Sequence, residues 1–247
     1  MSSLSKKAFS LVELSIVLVI LGLLTGGIIA GQSLIRASEL RAVTTEFQRY
    51  GTAISAFRDK YFAIPGDFAK ASSFGWGSYN GDGDGLIESS TTAGANEIST
   101  FWIHLAAAGL VEGTYTNAAG TTMTAGTNVP RSKLGNAGWN AMNLGAVAAT
   151  SSVYYAGSYG NAFFFGAGTT AGQPTGVLKA EEAWNVDTKM DDGRPDQGVF
   201  TSLESQGSTT AGCGDQAPSG SAYSTAPQYD LDNPSSTACS FVVKSGY

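Results

Sequence analysis

Histidine occurs once in these 247 residues, at His104, and cysteine only twice, at Cys213 and Cys239. Those two scarcities exclude the clustered Cys and His spacings that hold structural zinc. They also leave any histidine-based acid–base chemistry a single candidate, which sits between Phe101-Trp102-Ile103 and Leu105. A lone histidine in apolar company reads as a hydrogen-bonded helix residue, because a catalytic one needs a positioned partner. No Gly-x-Ser-x-Gly elbow, phosphate-binding glycine loop or metalloprotease signature occurs. Glu181-Glu182 and Asp191-Asp192 have the residue types of a glycosidase pair, but adjacent carboxylates are ordinarily just solvated. The expectation is therefore no enzyme. Charge is sparse as well: 14 Lys and Arg face 20 Asp and Glu, for a net charge of −6, which argues against nucleic acid as the main partner.

What the chain does have is one long apolar run, Phe9–Ala30, interrupted by a single charge, Glu13. Its 22 residues suffice to cross a hydrocarbon core about 30 Å thick at about 1.5 Å per residue. Lys6 and Lys7 precede it without an acidic counterweight, which keeps the N-terminus cytoplasmic and sends the rest outward. A carboxylate near the bilayer core costs about 2.5–3.5 kcal/mol on insertion scales, so Glu13 calls for a cationic partner. A cleavable signal peptide needs an uninterrupted apolar region and a small-x-small cleavage site, and a plain anchor needs no carboxylate. Neither accounts for Glu13.

Beyond the run, Leu40, Val43, Phe47, Tyr50, Ile54, Phe57 and Tyr61 recur at alternating spacings of three and four, which is a helical stripe. One helix is expected from about Phe9 to Ala63, ended by Pro65-Gly66-Asp67. The stripe fits either a coiled coil or packing on the chain's own globular part. From residue 64 the composition turns to Gly, Ser, Thr, Ala, Asn and aromatics, predicting a β-rich domain over 64–247. Candidate strands are Val153–Tyr155, Ala162–Phe165, Gly198–Leu203 and Phe241–Lys244. Candidate helices are Ser99–Ala108, capped by Ser99 and stopped by Gly109, and Ala180–Met190, while Thr114–Asn128 reads as loop. Cys213 and Cys239 fall on the outward side of the span, where disulfides persist, and are expected to pair.

Asn80-Gly81-Asp82-Gly83-Asp84-Gly85-Leu86-Ile87 carries oxygen ligands at alternate positions, glycine at the sixth and an apolar residue at the eighth. That is the first half of an EF-hand-like calcium loop, offering Asn80, Asp82, Asp84 and the Leu86 carbonyl to a hard Ca²⁺ ion. Its twelfth position is Thr91, so a further carboxylate has to come from Glu88 or Glu97, or from Asp187, Asp191 or Asp192. Asp-Gly pairs also form ordinary solvated turns. Both readings stand at this point.

The segment Lys6-Lys7-Ala8-Phe9-Ser10-Leu11-Val12-Glu13-Leu14 resembles the processing site of type IV prepilins and type II secretion pseudopilins. The residue before the cut is Ala8, where that family usually has Gly. The resemblance implies a leader of residues 1–8, cleavage between Ala8 and Phe9 by a membrane prepilin peptidase, and methylation of Phe9. It further implies a transmembrane helix over 9–30, its amphipathic continuation over 31–63, and an α+β pilin-like fold with that helix on an antiparallel β-rich domain. Glu13 would pair with the Phe9 amine of a neighbouring subunit, an amine that titrates near pH 8. The implied partners are homologous subunits, the peptidase and the inner membrane, with the globular part outside the cytoplasm in a filament. Segments around Pro65-Gly66-Asp67, Phe101–Leu110 and Asp187–Gly193 resemble larger pilin-like proteins more loosely, and the chain's length leans toward a minor or tip subunit that contacts a surface, a sugar or a secreted substrate. A membrane-anchored hydrolase is the remaining reading.

Overall fold

The computed structural model describes residues 10–89, 96–118, 120–148, 151, 153–168, 172–204, 212–216, 226–232 and 239–244. Ala8, Phe9 and Thr91 lie outside the described residues. The chain separates into two compact units, Met1–Leu40 and Arg41–Tyr247. Helix α1, Leu11–Tyr61, contributes its first part to one and its second part to the other.

In the first unit α1 is apolar around its whole circumference, and every large apolar side chain from Leu11 to Ile35 is at least 50% exposed. The helix is long and apolar enough to cross a membrane. Its start is capped twice: the Ser10 N–H donates to Glu13 Oε2 at 2.9 Å, and Ser10 Oγ accepts the Val12 N–H at 3.3 Å.

In the second unit the stripe does face the chain's own core: Val43, Tyr50, Ala53, Ile54 and Phe57 are buried. They pack on an antiparallel sheet of β1 (Gly138–Val147), β2 (Gly157–Gly166), β3 (Phe200–Glu204) and β4 (Cys239–Lys244), in the order β1-β2-β4-β3. The architecture is α+β, a long N-terminal helix on a small four-stranded sheet. Register fixes the faces. Ala141, Phe163, Val243 and Phe200 lie in one row, and the helix-facing side takes Phe47 against Trp139, Phe163 and Phe200. The next row, Asn140, Phe164, Val242 and Thr201, faces the other way, into a second cluster with Tyr154, Tyr159, Ala162 and Leu203.

Helix α2, Glu97–Ala107, adds Phe101 and Trp102 to the first face, and α3 is Ala180–Met190, as its sequence predicts. Several expectations are corrected. Val153–Tyr155 is no strand: Ser151 Oγ accepts the Val153 and Tyr154 N–H groups, a hydroxyl-closed turn, and the two tyrosines are buried beneath it. Strand β1 carries no β signal, being made largely of Gly, Ala and Asn. Ser99 does not cap α2, because the helix begins two residues earlier and the Ser99 hydroxyl donates to the Asn96 carbonyl at 3.1 Å. Cys213 and Cys239 form a disulfide that ties the start of β4 to the segment around Gly214. Closing a loop of 26 residues contributes about 3–4 kcal/mol in the chain-entropy account.

Candidate functional site: a buried carboxylate group

The turn after α1, the glycine-rich loop and the first residue of α2 bring Asp67, Asp82, Asp84 and Glu97 together, with one carboxylate oxygen of each within 4.8 Å of the others. Asp67 and Glu97 are buried, and Asp82 and Asp84 are exposed. The loop is wound around the two buried carboxylates. Asp67 Oδ1 accepts the Gly83 and Asp84 N–H groups at 2.5 and 3.1 Å, and Oδ2 accepts that of Gly85 at 2.9 Å. Glu97 takes the Asp82 N–H on Oε1 and the Glu88 N–H on Oε2, both at 3.1 Å. Gly81 has no room for a Cβ, which would stand 2.4 Å from the Asp67 backbone. Gly83 and Gly85 adopt φ of 83° and 91°, conformations that glycine takes without strain.

The loop is fixed from the other side by His104. Its Nδ1 accepts the Gly66 N–H at 2.9 Å, so Nε2 carries the proton and donates to the Tyr79 carbonyl at 2.6 Å. Phe57, Phe68 and Trp76 surround the ring, and burial pulls its pKa down to about 4.

Burial also pushes the Glu97 carboxyl up to about 7 in spite of its two amide donors, with the Asp67 and Asp82 charges adding to the rise. Asp67 is raised by the same burial and by Asp84 and Asp82. Four carboxylates in this space repel one another unless a proton or a cation intervenes. Carboxylate oxygens are hard donors of the kind Ca²⁺ prefers, and Asp67 Oδ2 and both Glu97 oxygens, each with one accepted N–H, retain a lone pair, whereas Asp67 Oδ1 is filled by two. Asp67, Asp82, Asp84 and Glu97 therefore offer a donor set of the kind a calcium ion would take.

That set differs from the one expected from the loop alone. Asp82 and Asp84 take part, but Asn80 spends its amide on Ser72, accepting its N–H at 2.8 Å and donating to its Oγ at 3.0 Å. Leu86 follows with its N–H on Asp84 Oδ1 at 2.8 Å, and Ile87 fills the apolar eighth position in the core. Glu97 was among the possible extra ligands. Asp67 was not, and its only sequence signal, Pro65-Gly66-Asp67, reads as a helix stop. Asp187, Asp191 and Asp192 form a group of their own instead of completing the first. There Asp187, its carboxyl raised to about 7 by burial, accepts the Tyr229 hydroxyl at 2.7 Å, and Asp191 Oδ2 receives the Val199 and Phe200 N–H groups that begin β3.

Set against known protein families, curated proteins and solved structures, the chain matches none. What it does must be argued from its own residues. Two features stand out, the carboxylate group and the exposed apolar helix with Glu13 as the one charge before Arg36.

Proposed function

We propose that this chain is a structural subunit of a type IV pilus or type II secretion pseudopilus, trimmed between Ala8 and Phe9, methylated on Phe9 and polymerised through α1. The observation that carries this reading is the helix from Leu11 to Ile35, whose large apolar side chains are each at least 50% exposed among the described residues. Water does not tolerate so continuous an apolar surface, so a bilayer or like helices must cover it. A bare anchor would satisfy that much. Glu13 favours the subunit over the anchor, because its bond to the Ser10 N–H needs no charge, whereas a carboxylate in such a helix calls for a cationic partner and processing creates one as the Phe9 amine.

In this reading the subunit waits in the inner membrane with its globular part outside the cytoplasm. Its partners are the prepilin peptidase and other pilin subunits. The pilin-like character of the fold belongs to the same reading and is supported by the long helix that serves the core with one half and leaves the other half apolar and uncovered. Calcium enters as the cation that the donor set fits, holding the loop beyond α1 in shape. Mass spectrometry of the mature N-terminus tests the proposal. Methyl-Phe at residue 9, together with filaments visible by electron microscopy in sheared material, is the expected outcome. An intact leader in cells that make no filament contradicts it.

A further inference from the structure

Most charges on the outer part of α1 are used by the chain itself. Arg36 pairs with Glu39 at 3.2 Å, Glu46 serves Trp139 and Lys133, Arg49 reaches Glu112 at 4.0 Å, and the Lys60 ammonium stands 5.1 Å from the centre of the Tyr61 ring. The Arg41, Arg58 and Asp59 side chains make no hydrogen bond or ion pair among the described residues. Arg41 and Asp59 stand about five helical turns apart, so they share one exposed face of α1, with about 27 Å of helix between them. Arg58 lies over a quarter of a turn to one side.

Between those two charges the face consists of Thr45, Gln48, Thr52 and Ser55, all exposed. It is polar chiefly in composition. Thr45 Oγ1 donates to the Arg41 carbonyl at 3.1 Å, Thr52 Oγ1 to that of Gln48 at 2.9 Å and Ser55 Oγ to that of Gly51 at 3.0 Å. With its hydroxyls turned onto its own backbone, the face presents short side chains that a second helix can approach without leaving a hydroxyl donor unsatisfied. The charges then choose the helix. A copy of α1 displaced by about 27 Å brings its Asp59 beside Arg41, and a copy displaced the other way brings its Arg41 beside Asp59. A parallel copy at the same height sets Arg41 against Arg41 and Asp59 against Asp59.

We propose that this face is a contact between copies of the chain, attractive when they are displaced by about 27 Å along α1 and repulsive when they are level. The contact rests on the reading of the chain as an anchored subunit that polymerises. Copies spanning one flat bilayer in the same sense sit at one height, where like charges meet. The attractive displacement is comparable to a hydrocarbon core about 30 Å thick, so only a subunit drawn out of the membrane into a filament reaches it. The face thus keeps waiting subunits apart and joins assembled ones. A helical filament gives each subunit neighbours at several displacements, so this contact adds to the one at Glu13.

Filament yield, N-terminal processing and subunit melting temperature are compared for wild type, Arg41→Asp, Asp59→Arg and the two exchanges combined. Each single reversal lowers filament yield about tenfold with processing and melting temperature unchanged, and the combined exchange restores the yield to within about twofold. A chain carrying both Arg41→Cys and Asp59→Cys, whose native cysteines are already paired, forms covalent ladders when filaments are oxidised, and the ladder is absent from either single variant. Wild-type yield from both single reversals overturns the proposal, as does a combined exchange that fails to restore the yield. Dimers from Arg41→Cys alone in filaments also overturn it, since copies would then pack level. In each of these cases processed wild-type filaments leave the subunit reading standing, whereas the absence of wild-type filaments removes both.

Discussion

The indole Nε1 of Trp139, in β1, donates to Glu46 Oε2, in α1, at 2.8 Å, and the other oxygen of the same carboxylate accepts the Lys133 N–H at 3.0 Å. One side chain therefore locks the long helix to the edge strand and to the turn before it. Trp139 is fully buried, so removing its acceptor leaves an indole N–H without a partner. Glu46→Ala should cost about 1–3 kcal/mol, the penalty for an unsatisfied buried donor, and Glu46→Gln distinctly less. Urea denaturation of the full-length chain in detergent measures both. Equal midpoints for Glu46→Ala and wild type would show that the bond contributes nothing.

Glu46 also shows where the sequence runs out. The spacing of Val43, Phe47, Tyr50, Ile54 and Phe57 announces the helix and its buried face, because local periodicity is enough for that. Glu46 then falls on the polar face and reads as solvated, and nothing local says that a tryptophan 93 residues away will need it. The same limit governs the sheet. Strands β2 and β4 are legible from Phe163–Phe165 and Phe241–Val243, whereas β1 depends on pairing with β2 for a structure its own residues do not favour. At the carboxylate group, Asp82 and Asp84 announce themselves by their spacing. Asp67 joins them only because Gly81 lets the loop close against its backbone, a contact across 14 residues that no short motif encodes.

Stability should pass through a maximum in mildly acidic solution when calcium is chelated. Glu97 holds its proton more tightly folded than unfolded, so its contribution is complete below about 4.5 and lost as pH rises through about 7. His104 works in the opposite sense: its contribution is complete above about 6.5 and lost as pH falls through about 4. Melting temperatures recorded in EDTA should fall on both sides of that window. Calcium should restore the alkaline side, by about 2.7 kcal/mol at a hundredfold excess over its Kd. Glu97→Gln should lessen the alkaline fall, leaving the share of Asp187, whose carboxyl is likewise raised to about 7, and abolish the calcium response. A melting curve at pH 8 indifferent to both calcium and EDTA would mean that no such ion is held.

Thr201 should tolerate, even favour, loss of its hydroxyl. It lies in the row Asn140, Phe164, Val242 and Thr201 on the sheet face turned away from α1, fully buried, and its Oγ1 has no hydrogen-bond partner among the described residues. Valine has nearly the same shape and no group to desolvate. Thr201→Val should therefore stabilise the chain by about 1 kcal/mol. Thermal unfolding reads the change directly, and a lower melting temperature would show that the hydroxyl is satisfied in solution, for example by a buried water.

In the proposed subunit Glu13 would have two separable duties, and two substitutions distinguish them. Its carboxylate accepts the Ser10 N–H at the start of α1, a bond that glutamine can also make, since either side chain can accept an N-cap N–H. Only the carboxylate can pair with the cationic Phe9 amine of a neighbouring subunit. Glu13→Gln should insert, fold and be processed like wild type, while filament yield drops by an order of magnitude or more. Glu13→Ala loses the cap as well, and its helix start should fray, which amide exchange at Ser10 to Val12 would register. Quantitative electron microscopy of sheared filaments, with mass spectrometry of the N-terminus, makes the comparison. Wild-type filament yield from Glu13→Gln would assign the residue to capping alone and remove the reason for placing its charge opposite another chain.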